Sequence, residues 1–128
     1  MICISDHWIT GQEIDANRRN TIYVFGDNVA HRGRGGQAKI CRERPNCIGI
    51  PTKWGPSNNP QDFFHNQDFY KAQPYIDSAF RQIDNHIAQG RNIIFFPGIG
   101  EGLAQLPTKA PAIHDYIQKE IRRRLTQW

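Results

Sequence analysis

Two runs of β-branched and aromatic residues, Thr21-Ile22-Tyr23-Val24-Phe25 and Asn92-Ile93-Ile94-Phe95-Phe96, constrain this chain most. Neither alternates polar with apolar residues, so each reads as a strand covered on both faces rather than one side of an open sheet. Each run ends in a glycine-rich loop and is followed by a helical pattern. Cys47-Ile48-Gly49-Ile50 adds a third short strand, broken by Pro51, and Ile2-Cys3-Ile4 reads as a short edge strand. Thr10 to Ala16 reads as a brief helix with Thr10 as cap and Glu13 as its capping-box partner. Gly36 to Arg44 predicts a second helix, stopped before Pro45. A third spans about Asp68 to Ala88, with Ala72, Ile76, Phe80, Ile83 and Ile87 on one stripe, Pro74 near its start and Gly90 beyond its end. A closing helix from Pro107 or Thr108 presents Ile113, Ile117, Ile121 and Leu125. Strands separated by helices imply a mostly parallel central sheet in a small three-layer α/β/α domain, one domain over 1–128.

In such sheets ligands bind beyond the carboxyl ends of the strands. Both glycine loops lie there. The first runs Gly26-Asp27-Asn28 to Gly33-Arg34-Gly35-Gly36-Gln37, and the second Gly98-Ile99-Gly100-Glu101-Gly102-Leu103. Glycine lets a ligand approach the main chain, and a loop feeding a helix exposes unpaired amides to an anion. Two such loops suggest a clamp on a molecule with two phosphates. Arg32 and Arg34 are candidates for bidentate phosphate contact, with solvated loop arginines as the plain alternative. Lys53, at a strand end beside the long loop 52–67, is a further candidate. Trp54, Phe63 and Phe64 suit either stacking on a base or core packing beneath that loop.

Asp27 and Glu101 are the carboxylates placed within the two loops. Each is a candidate general base toward water. For Asp27, an Asx-type turn after the strand is the readier account of the residue, whereas for Glu101 the two readings stand level. The five histidines lack metal-site spacing, and no metal or cofactor is expected. Three cysteines without a C-x-x-C pair point to reduced thiols in a cytoplasmic setting. No apolar stretch is long enough for a membrane span. The formal charge of +4 calls for an anionic partner. Arg122, Arg123 and Arg124 suit the carbonyl end of the last helix. The cluster Arg32, Arg34, Lys39, Arg42 and Arg44 leaves nucleic acid open as a partner.

Taken in order, Val24-Phe25-Gly26-Asp27-Asn28, Gly33-Arg34-Gly35-Gly36-Gln37-Ala38, Gly49-Ile50-Pro51-Thr52-Lys53 and Pro97-Gly98-Ile99-Gly100-Glu101-Gly102-Leu103 resemble the macrodomains, whose best-known ligand is ADP-ribose. The likeness covers roughly residues 21 to 125. It is nearest to the branch of small hydrolases that free ADP-ribose from protein carboxylates. That resemblance implies that Asn28 meets the distal ribose and that Gly33, Gly35 and Gly36 lie along the diphosphate. Gly100, Glu101, Gly102 and Leu103 would close from the other side, and Asp6 would grip the adenine edge. The branch's catalytic positions are not matched, Ala104 standing where its second-loop aspartate would be. The expectation is a binder of ADP-ribose, a related nucleotide or an ADP-ribosylated macromolecule, with hydrolysis of an ADP-ribosyl linkage open. The alternatives are non-catalytic capture of a signalling nucleotide and a basic nucleic-acid-binding protein.

Overall fold

Four parallel strands form one sheet in the order β1-β4-β2-β3, in a computed structural model that describes residues 1–127. The strands are β1 (Ile2–Ile4), β2 (Thr21–Asn28), β3 (Cys47–Lys53) and β4 (Asn92–Phe95). The helices are α1 (Gly11–Ala16), α2 (Ala38–Cys41), α3 (Phe69–Ala88), α4 (Leu106–Lys109) and α5 (Pro111–Leu125). The two apolar runs are the two central strands. Val24, Ile93 and Phe95 are wholly buried, as strands covered on both faces require.

Alternation along β2 sorts the layers. Tyr23, Phe25 and Asp27 face α1 and α2: the Tyr23 hydroxyl donates to Glu13 of α1 at 2.9 Å, and Arg42, just after α2, reaches both Phe25 and Asp27. Ile22, Val24, Ile48 and Ile50 take the opposite side. There α3 packs on β3 and β4, and α5 packs on α3 and β1. The result is a three-layer α/β/α domain with an all-parallel sheet. No helix among the described residues is long and apolar enough to cross a membrane.

Several elements depart from the sequence expectation for local reasons. Strand β2 continues through Gly26 to Asn28, and β3 passes through Pro51 to Lys53, because β3 is an edge strand where a missing N–H costs no ladder bond. Helix α2 is four residues long rather than nine; Gly36 at φ +57° and Glu43 at φ +73° stand outside helical geometry on either side. The closing helix is split at Ala110. Pro111 has no N–H and disfavours helical geometry in the residue before it, so Ala110 extends and α5 restarts. Thr10 caps α1 through the Glu13 N–H at 3.1 Å, but the Glu13 carboxylate turns to Tyr23 and His7 instead of closing a capping box. Helix α3 carries Pro74 in its second turn; the Tyr70 carbonyl loses its partner at the exposed end of the helix.

The base-stacking candidates belong to the core. Phe63 and Phe64 are buried, and Trp54 meets Phe64 edge-on at 4.8 Å and Tyr75 at 6.1 Å. Arg124 is likewise no loose cation at a helix end. It is buried, straddles Asp84 of α3 and Glu120 of α5, and lies 4.5 Å over the Phe80 ring.

Candidate functional site

Strands β2 and β4 are neighbours, yet the chain leaves them toward opposite faces: β2 leads to α2 on one side, β4 to α4 and α5 on the other. Diverging connections open a crevice at the carboxyl ends of the two strands. A cleft of about 660 Å³, counting its open mouth, occupies that place. One wall carries Gly26, Asp27, Asn28, Arg32, Gly33, Gly35, Gly36 and Gln37. Facing them are Gly98, Gly100, Gly102, Leu103 and Ala104, with Thr52, Lys53 and Pro56 at the β3 side. The two glycine loops are thus opposite walls of one site.

The loops are tied to each other. Gln37 Oε1 accepts the Gly26 N–H at 2.8 Å, while its Nε2 donates to the Pro97 carbonyl at 2.8 Å. The Gln37 amide is therefore occupied by main chain, and its part is to set the spacing of the walls. Leu103 reaches over from the second loop: a methyl on Gly35 would lie 2.9 Å from Leu103 Cδ1. Asn28 folds the first loop on itself, its Nδ2 donating to the Arg32 carbonyl at 2.7 Å and its Oδ1 accepting the Arg32 N–H at 3.3 Å.

A count of main-chain partners shows what the walls offer. Among the described residues, the N–H groups of Gly33, Gly35, Gly36, Gly98, Gly100 and Gly102 donate to no protein acceptor. Most of their carbonyl neighbours are engaged. Arg32 and Gly33 carbonyls accept from Arg42, and the Gly36 carbonyl from the Lys39 N–H. In the second loop, Pro97 accepts from Gln37, Gly98 from the Glu101 N–H, Ile99 from Gln118, Gly100 from the Leu106 N–H and Gly102 from the Gln105 N–H. Most of the carbonyls in the two loops are thus engaged, those of Arg34, Gly35, Glu101 and Leu103 excepted, while these glycine donors are left over. These N–H groups are left to water or to another acceptor that enters the cleft. Gly36 (φ +57°) and Gly100 (φ +85°) adopt the left-handed geometry found in main-chain anion nests.

The charged candidates separate. Lys53 is buried, donates to the Ser57 carbonyl at 2.8 Å and stands 4.4 Å over the Phe63 ring, with Lys109 also 4.4 Å from that ring. Burial pushes the Lys53 ammonium below its ordinary pKa, opposed by nearby Asp62. Arg32 lines the cleft and has no carboxylate partner among the described residues. Arg34 does not line it; its guanidinium pairs with Glu43 at 2.6 Å. Arg42 and Arg44 pair with Asp27 and Asp15.

Asp27 borders the cleft with its carboxylate held by Arg42 at 2.7 and 3.0 Å and approached by His31 Nδ1 at 3.2 Å. Glu101 lies outside the lining, half exposed and 3.2 Å from His114. Ile99 is buried beneath its loop, and Asp6 is exposed, 3.1 Å from His7 and off the cleft. Cys41 is buried; a hydrogen bond with Cys47, then burial itself, holds its thiol protonated. Sequence reasoning missed Arg42 as the partner of Asp27. Fifteen residues separate them, and no local spacing announces the pair.

A family model described as a family of unknown function (DUF7831) matches residues 4–120. The chain belongs to that family. No curated protein and no solved structure matches this chain. The matched span includes both walls of the cleft, Gln37, Arg42 and Lys53.

Proposed function

We propose that the cleft binds the diphosphate of an ADP-ribose-like nucleotide, free or attached to a macromolecule, as a macrodomain does. One observation carries this reading: two facing loops retain unpaired glycine amide donors while most of their carbonyls, Arg32, Gly33, Gly36, Pro97, Gly98, Ile99, Gly100 and Gly102, accept from protein donors. Such a wall attracts phosphate oxygens and offers little to a cation or a hydrogen-bond donor. Arg32 on the first wall and Lys53 at the β3 side add positive charge.

The geometry favours capture over turnover. A general base must reach the proton it removes. Asp27 already spends both oxygens on Arg42, Glu101 stands outside the lining, and Ala104 offers no acid. Nucleic acid is the weaker partner, because Arg34, Arg42 and Arg44 are matched by carboxylates.

Calorimetric titration with ADP-ribose, AMP and ribose tests the reading. ADP-ribose should bind at micromolar to low millimolar concentration, and ribose should not. Equal binding of ribose, or no heat from ADP-ribose with folded protein, overturns it.

A further inference from the structure

The geometry points to Arg42 as the residue that makes the first wall selective for anions, although it is not among the residues lining the cleft. This inference rests on the diphosphate-binding reading and assigns the selectivity of that same site to a side chain behind the wall.

Four contacts define its position. Arg42 Nε donates to the Gly33 carbonyl at 3.1 Å, and Nη2 to the Arg32 carbonyl at 3.2 Å. Nη1 and Nη2 take the two Asp27 oxygens at 3.0 and 2.7 Å. The guanidinium carbon is 5.8 Å from the centre of the Phe25 ring, and the side chain is 15% exposed. A planar fork fixed on one side by a carboxylate and backed by an aromatic ring has little freedom left.

Two effects follow, both favouring phosphate. A peptide unit has its C=O and N–H on opposite sides. Holding the Arg32 and Gly33 carbonyls on the Arg42 side therefore turns the N–H groups of the same peptide units, of which Gly33 lines the cleft, the other way. Phosphate then meets the Gly33 donor without repulsion from these two carbonyl oxygens. Second, Asp27 is a carboxylate at the edge of an anion site. Uncompensated, it would repel a diphosphate; paired in a bidentate bridge, its charge is cancelled at short range. Lysine keeps the cation but cannot span two carbonyls and two carboxylate oxygens.

The test is calorimetry with ADP-ribose on the full chain, comparing wild type, Arg42→Gln, Arg42→Lys and the double variant Asp27→Asn/Arg42→Gln, with thermal midpoints measured alongside. Arg42→Gln should bind at least about tenfold more weakly, since it loses charge compensation and two carbonyl anchors together. Adding Asp27→Asn should recover part of that loss but not all, because the repulsion goes while the carbonyls stay unheld. A general loss of fold would not be relieved selectively in this way. Arg42→Lys should fold and bind about three- to tenfold more weakly, and it decides the matter where Arg42→Gln does not fold. Wild-type affinity in folded Arg42→Gln or Arg42→Lys overturns the role of Arg42 alone. Absence of binding in the wild type overturns the diphosphate reading itself, so the two failures are distinct.

Discussion

Gln37 donates from Nε2 to the carbonyl of Pro97 across sixty positions of sequence, at 2.8 Å, and with the other end of the same amide accepts the Gly26 N–H. One side chain thus sets the gap between the two walls of the cleft. Replacing it by leucine keeps bulk and removes both bonds. Each net hydrogen bond contributes about 0.5–1.5 kcal/mol, so Gln37→Leu should lose about 1–3 kcal/mol in urea unfolding. It should also weaken ADP-ribose binding. Undiminished affinity would show that the wall spacing is set elsewhere.

Gly100 has φ +85°, and a methyl there would lie 2.6 Å from Leu106 Cδ1, in a side chain that is itself fully buried. Gly100→Ala combines backbone strain of about 1–3 kcal/mol with a clash against the core. The expected outcome is a lowered thermal midpoint together with weaker ligand binding. Gly102→Ala is the control for stability, since nothing lies within 4 Å of a methyl added there.

Arg124 ties α5 to α3 through Asp84 and Glu120 and covers Phe80. Breaking a fully buried pair costs about 3–5 kcal/mol, but Asp84 is 45% exposed and its charge stays partly solvated. Arg124→Ala should therefore destabilise by about 2 kcal/mol. Its distance from the cleft predicts unchanged ADP-ribose affinity at a temperature where the variant is folded.

Burial, then hydrogen bonding to Glu13, pushes the Tyr23 phenol up to about 12 from an ordinary value of 10. The folded state holds the proton more tightly than the unfolded chain does. That contribution to stability is fully present below pH 10 and is lost as pH rises through the window from 10 to 12. Tyr23→Phe should accordingly lose less stability than wild type over that interval, read as the change in urea midpoint at each pH.

The sheet was legible because its evidence is local. The uninterrupted runs 21–25 and 92–96 have no plausible surface, and their glycine endings place both loops at the same rim. What lay hidden depends on partners distant in the chain. Nothing near Arg42 indicates that its guanidinium closes on Asp27, and nothing near Gln37 indicates Pro97. Phe63 and Trp54 looked equally suited to a ligand because aromatic rings serve cores and binding surfaces alike. Only the packing of Phe63 beneath Lys53 and Lys109, and of Trp54 on Phe64, decides between them. The shortness of α2 was also invisible. It follows from left-handed geometry at Glu43, a residue type that ordinarily prefers helix.

Strand β4 comes fourth in chain order but sits between β1 and β2. During synthesis the earlier strands must therefore wait with a vacancy at the centre of the sheet, and β2 has only β3 for company. The second wall of the cleft is made after β4, so a ribosome-bound chain ending before residue 98 has half a site and no grip. On the proposed reading, a ligand rewards only the finished molecule, and its capture reports completed folding.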